Sequence, residues 1–162
     1  MESLSRTEAS EWAIVEDLYE PLRRFAAVVA PVDLEPDDLL QDALVSVLRT
    51  RRLSEIDHPA AYLRRAVLNA ATSHNRQMGR RRQAMVRFRA SDNSTRPVYP
   101  SDLSELDQLP PRERGALYLH VVEGFQYAEI AEMLGCSESA ARKAGVRGRR
   151  RLHAWYVEEV AR

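Results

Sequence analysis

The chain has a single cysteine, a single lysine and only three phenylalanines among its 162 residues, and each shortage narrows what it can be. The lone thiol, Cys136, excludes an internal disulfide and suits a reducing compartment. No apolar run approaches the roughly 18 residues that a membrane-crossing helix requires. The acidic N-terminus lacks the basic-then-apolar order of a secretory signal. The expectation is a soluble, cytoplasmic protein with no membrane insertion. Catalytic signatures are missing too. His58, His74, His120 and His153 are scattered, with no metal-ligand cluster, phosphate-cradling glycine loop or nucleophile–base pair. This predicts no enzyme, no metal and no cofactor.

Net charge is also absent, but only on average. The formal charge is zero, yet residues 1–57 hold 13 acids against six arginines, and the remainder carries the compensating +7. Acids vanish from two stretches, His58–Arg89 and Ser139–Leu152. Sign asymmetry of this kind suggests two partner surfaces, one of them for a polyanion. Of 24 basic residues 23 are arginine, the type that reads phosphate and guanine bidentately, although GC-rich codon usage gives the same bias.

The stretch Phe125–Leu152 reads as helix, sharp turn, helix. Tyr127, Ile130, Ala131 and Leu134 fall on one face. Gly135 stands where a left-handed C-terminal cap is wanted, and Ser137 offers an N-cap hydroxyl to the next helix, with Glu138 in its first turn. Small residues at Ala131 and Gly135 suit a close helix crossing. The second helix carries Arg142, Lys143, Arg147, Arg149, Arg150 and Arg151. This is the layout of a helix-turn-helix entering a major groove; an ordinary helical hairpin with a solvated basic face is the blander reading.

Earlier in the chain, Glu8–Val29 predicts a helix with a stripe of Trp12, Val15, Leu18, Tyr19, Leu22, Phe25, Ala26 and Val29. Pro36–Leu48 predicts a second, capped by Asp33 or Glu35, with Asp38, Gln41, Asp42 and Ser46 on or near its outer face. That face is either solvated or a docking strip for a basic partner. Thr50–Asp57 reads as a loop, and Pro59 opens a third helix. In the acid-free run, Arg64, Arg65, Arg76, Arg80, Arg81, Arg82, Arg87 and Arg89 are interleaved with His58, Tyr62, Asn69, His74 and Asn75. Cations for phosphates, rings for stacking and amides for base edges are what melted DNA requires; a positive solvated helix is the alternative. Periodicity fades from Met78, and Ser91–Thr95 with Pro97 and Pro100 mark a linker. Leu103–Leu109 and Arg112–Val122 predict two further helices, the latter striped by Leu117, Tyr118, Val121 and Val122 and ended by Gly124. The expected fold is all-α: two small helical domains, residues 1–82 and 103–162, joined by a flexible linker at 83–102, neither large enough for a big core alone.

Four segments then stand in order. Asp38-Leu39-Leu40-Gln41-Asp42-Ala43 is similar to D-L-V-Q-E-A. Ala61-Tyr62-Leu63-Arg64-Arg65-Ala66-Val67-Leu68-Asn69 is similar to A-W-L-Y-R-I-A-R-N. Leu109-Pro110-Pro111-Arg112-Glu113-Arg114 matches L-P-P-R-x-R, and Tyr127 to Ser137 matches Y-x-E-I-A-E-x-L-G-x-S. On these the chain resembles the extracytoplasmic-function sigma factors of the sigma-70 family, from about Val15 to Tyr156. The resemblance implies a region 2-like first domain and a region 4-like second one, acting as a polymerase subunit that directs promoter-specific initiation. Asp38, Leu39, Gln41 and Asp42 would bind the β′ clamp helices of core RNA polymerase. Arg52, His58, Tyr62, Arg65, Asn69, Arg76 and Arg80 would melt and read the −10 element. Ser137, Ser139, Arg142, Lys143, Arg147, Arg149 and Arg150 would read the −35 duplex, with the second domain touching the β flap. An anti-sigma factor is a candidate further partner.

The chain departs from the family pattern in places. Tyr62 replaces Trp, Ser73 replaces an acid, and Ala140-Ala141-Arg142-Lys143-Ala144-Gly145 stands where T-V-K-S-R-L is usual. Gly145 and Gly148 each cost about 1 kcal/mol against Ala in a free helix, so the second domain is expected to be marginal alone. A stand-alone helix-turn-helix regulator is the alternative; it explains Phe125–Leu152 but neither the acidic strip nor the acid-free run.

Overall fold

Burial of apolar stripes dictates the architecture seen in the computed structural model, which describes residues 2–86, 106–107 and 109–160. Six α-helices are present among the described residues, and no strand: α1 (Glu2–Val29), α2 (Pro36–Leu48), α3 (Pro59–Val86), α4 (Pro111–Leu117), α5 (Tyr127–Leu134) and α6 (Glu138–Val160). None is long and apolar enough to cross a membrane. The segment predicted as linker falls mostly outside the described residues, as does most of the helix expected over Leu103–Leu109.

The stripe expected of α1 is the face that packs on the next two helices. Val15, Leu22, Phe25, Ala26 and Val29 of α1 are buried against Leu39, Leu40, Ala43 and Val47 of α2 and Leu63, Val67, Leu68 and Ala71 of α3. Trp12 is the exception, 66% exposed at the edge of the stripe. The bounds of α2 are those expected. Pro36 takes the first turn with Asp37 and Asp38, but neither candidate acid caps the helix through its side chain. Asp33 instead faces His74 of α3 at 3.1 Å, and Asp37 pairs with Arg23. The loop after α2 contains a 3-10 turn at Leu53–Glu55, with Leu53 fully buried. Glu11 of α1 caps that turn, accepting from the Leu53 and Ser54 amides at 2.6 and 3.1 Å and from the Ser54 hydroxyl. Partial burial raises the Glu11 carboxyl pKa, but these bonds outweigh it and hold the group below its usual value.

Three boundaries move. Helix α1 starts at Glu2, six residues before the expected Glu8. Helix α3 runs on to Val86, past the point where periodicity fades. From Met78 the residues are mostly Arg, Gln, Met and Ala, strong helix formers that need no buried face. After α4 the chain passes into a π-helical turn over Tyr118–Val122, closed by Glu123 N donating to Tyr118 O at 3.1 Å. The extra residue in that turn rotates the face that a 3.6-residue period would bury. Leu119 goes into the core, while Val121 and Val122 stand 72% and 62% exposed, not in the stripe expected of them.

The two halves share one contiguous core among the described residues. Gly115 of α4 lets the ring of Phe25 approach to 3.3 Å of where a Cβ would sit. Arg114, 2% exposed, reaches across to the end of α1, donating to Ala30 O at 3.0 Å and Val29 O at 3.3 Å, and to Asp107 at 3.1 Å. Arg64 of α3, 6% exposed, pairs with Glu123 at 3.1 Å and lies 5.5 Å from the centre of the Phe125 ring.

Candidate nucleic-acid and protein interfaces

The helix-turn-helix forms as its residues demand. Gln126 N donates to Glu129 at 2.8 Å, one half of a capping box at the start of α5. Gly135 takes φ 62°, left-handed, and Cys136 N closes back on Ala131 O at 2.9 Å. The Ser137 hydroxyl accepts from Ala140 N at 3.2 Å and starts α6. Ala141 and Ala144 are fully buried. The two glycines of α6 are where neighbours come closest: a Cβ at Gly145 would lie 2.7 Å from the Tyr127 hydroxyl, and one at Gly148 2.8 Å from Leu117. What the glycines lose in helix propensity is thus offset by large side chains filling their places.

Tyr127 fits this slot imperfectly. Its ring stacks on His120 at 4.3 Å and receives the Arg142 guanidinium at 5.2 Å, but its hydroxyl is buried with no hydrogen-bond partner among the described residues. Such an orphan costs about 1–3 kcal/mol. Tyr127→Phe is therefore expected to stabilise the protein by about 1 kcal/mol, raising Tm by about 2–4 °C for a chain of this size. A calorimetric scan showing a lowered Tm would contradict the assignment.

Burial of Ala141, Ala144, Gly145 and Gly148 turns the opposite side of α6 outward. Ser139, Arg142, Lys143, Arg147, Arg149 and Arg150, all expected to meet DNA, are exposed, as is Ser137 in the turn. They are not equally free. Arg142 pairs with Glu138 at 2.7 Å. Arg147 and Arg151 both grip Glu113 of α4, at 3.2 and 3.0 Å; the Glu113 side chain is 7% exposed and each arginine side chain 54%. Glu113 was not singled out from the sequence. Its spacing of three and four residues from buried Ala116 and Leu117 is the signal that it lies on an inward face.

On the first half, α2 and α3 enclose an open recess of about 470 Å³. Tyr62, Arg65 and Asn69 line it, joined by Asp42, Ser46, Thr50 and Ser73. Three of the seven residues expected to read melted DNA are thereby brought together. Arg52, His58, Arg76 and Arg80 are exposed but outside the recess lining. Arg65 also touches the other half, since a Cβ on Gly135 would collide with its guanidinium.

The outer face of α2 presents Asp38, Gln41 and Asp42, all exposed. Leu39 does not belong with them. At 1% exposure it is a core residue, about 100° round the helix from Asp38, and is not available to a partner there. Val45, 55% exposed and one turn beyond Gln41 and Asp42, takes its place as the apolar member of that face. Among the described residues no group of His, Cys, Asp and Glu could hold a metal ion.

The family model for sigma-70, region 4, matches residues 103–152. RNA polymerase sigma factor CarQ of Myxococcus xanthus is 34% identical along an alignment of 137 residues that covers 78% of this chain and 79% of CarQ. The ECF RNA polymerase sigma factor SigE of Mycolicibacterium smegmatis is 30% identical over 135 residues, 76% of this chain but only 52% of SigE. The fold is similar to that in the co-crystal structure of the sigma factor RpoE in complex with the anti-sigma factor NepR from Bartonella quintana. The TM-score is 0.63, covering 88% of this chain and 93% of the matched one at 22% identity.

Proposed function

Since this chain belongs to the extracytoplasmic-function sigma factors of the sigma-70 family, we propose that it binds core RNA polymerase in the cytoplasm and directs initiation by reading both a −10 and a −35 element. The observation that carries this reading is the coexistence of three surfaces on one chain: the α2 strip, the α2–α3 recess and the basic α6. A stand-alone helix-turn-helix regulator needs only the last.

Each surface supplies one step. Asp38, Gln41 and Asp42, with Val45 as apolar anchor, dock on a basic face of the polymerase, its β′ clamp helices. The recess receives a base extruded from the melted strand. Tyr62 stacks on it, Asn69 offers an acceptor and a donor to its edge, and Arg65 holds the flanking phosphate. Helix α6 enters the major groove of the upstream duplex. The chain performs no bond chemistry; nucleotidyl transfer belongs to the polymerase. A protein that clasps both halves, as an anti-sigma factor would, competes with all three contacts.

The reading is tested by mixing the protein with core polymerase and assaying run-off transcription from a supercoiled promoter library. Promoter-selective transcripts are expected. Tight sequence-specific duplex binding by the free protein, with no polymerase association, would favour the regulator instead. Within this scheme, Asp38→Arg with Asp42→Arg should lower affinity for core polymerase by about tenfold or more, about 1.4 kcal/mol, because like charges then face each other. Both side chains are exposed, so far-ultraviolet circular dichroism should not change. Unaltered affinity in the double variant would remove α2 from the docking surface.

A further inference from the structure

Building on the promoter-reading role of α6, we infer that Val146 is a specificity residue, seating the C5-methyl group of a thymine in the −35 duplex. The face of α6 buried in the protein is the line Ala141, Ala144, Gly145, Gly148. At 3.6 residues per turn, the row directly opposite is Ser139, Lys143, Val146 and Arg150. All four are exposed. Val146 is the one apolar side chain in that row, 43% exposed amid cations.

The flanks of the row are held aside. Arg147 and Arg151 are tied by the buried Glu113 carboxylate to α4, and with Arg150 and Ala154 they border a recess of about 310 Å³. Each spends one N–H on Glu113 and, on a half-exposed side chain, keeps its other N–H groups for an outside acceptor. Tethered beside the groove-facing row, these two suit phosphate oxygens, and their prior ordering reduces what binding must immobilise. On the other flank Arg142 is occupied by Glu138 and by the Tyr127 ring. Arg149, also exposed, stands about a quarter-turn from the row at ~100° per residue, so the side chains facing the base edges are Ser139, Lys143, Val146 and Arg150. A valine offers no hydrogen bond. In the major groove the one base feature that it complements is the methyl group of thymine, which cytosine, adenine and guanine lack there.

The test uses holoenzyme reconstituted from the full chain and core polymerase. Duplexes randomised over the −35 region are selected by wild type and by Val146→Ala, and the thymine whose enrichment Val146→Ala erases is then replaced by deoxyuridine, which lacks only the methyl. Wild type is expected to lose about fourfold in affinity on that replacement, the worth of roughly one buried methyl group. Val146→Ala should bind the thymine and deoxyuridine duplexes alike. Arg147→Ala should weaken every duplex by a similar factor, lower the salt dependence by about one ion and leave the thymine-to-deoxyuridine ratio at the wild-type value. Retained −35 selectivity with no Val146-dependent thymine on either strand, or a ratio near one for wild type, would overturn the methyl contact alone. A holoenzyme that shows no preference in the upstream duplex overturns the promoter-reading role itself, and the inference with it.

Discussion

Arg114→Ala is expected to destabilise the protein by about 3–5 kcal/mol, the usual result of removing one partner from a buried charged network. The side chain is 3% exposed and donates to three acceptors at once. Two are the carbonyls of Val29 and Ala30, where α1 ends and its dipole is negative; the third is the Asp107 carboxylate. Alanine would leave two buried carbonyls and a carboxylate that is 14% exposed without this cation. Against the roughly 5–15 kcal/mol by which domains are stable, such a loss is decisive. Arg114→Lys should recover only part of it, since one ammonium lacks the fork that spans both carbonyls. Urea unfolding followed by circular dichroism measures both variants. A loss below about 1 kcal/mol for alanine, the scale of a solvated surface pair, would mean that Arg114 does not fasten the end of α1.

Much of this arrangement is legible from local chemistry. The bounds of α2 follow from Pro36 and its flanking acids, and the α5–α6 turn from Gly135 and Ser137, because each signal acts within one helical turn. What escapes sequence reading depends on partners distant in the chain. Arg64 counts as one more cation of an acid-free run until its spacing is examined. With Val67, Leu68 and Ala71 it falls at i, i+3, i+4 and i+7, on the buried face of α3. A buried arginine requires an acceptor, and that acceptor, Glu123, lies 59 residues away. The exposure of Val121 and Val122 has a local cause, the π turn, but no residue type announces such a turn. Composition does suggest that neither half makes a large core alone. That the two complete each other's core depends on Gly115 admitting Phe25, a contact that no periodicity reveals.

Glu123→Arg is expected to part the two halves. The pair it breaks is largely enclosed, with Arg64 and Glu123 side chains 7% and 18% exposed, and Tyr118 leans on the same carboxylate: burial first, then a hydrogen bond to Glu123, pushes its hydroxyl pKa up. Reversing the charge sets two guanidinium groups against each other, a loss on the order of 3–5 kcal/mol, comparable with the about 5.5 kcal/mol that carries a two-state equilibrium from one side to the other. Separation is also what promoter reading demands. Elements at −10 and −35 lie roughly 25 base pairs apart, about 85 Å of duplex at about 3.4 Å per pair. A compact chain of this length has a radius of gyration of about 15 Å and spans only about 40 Å. On the proposed reading, the closed arrangement, with Arg65 against Gly135, cannot present the α2–α3 recess and α6 to the two elements of one promoter. Small-angle scattering should therefore give about 15 Å for the free wild type and a clearly larger radius for Glu123→Arg at unchanged helix content. The charge swap Arg64→Glu with Glu123→Arg should restore the compact value, because it restores the pair without restoring either native residue. An unchanged radius in the single variant, or no recovery in the swap, would show that the Arg64–Glu123 pair does not hold the halves together.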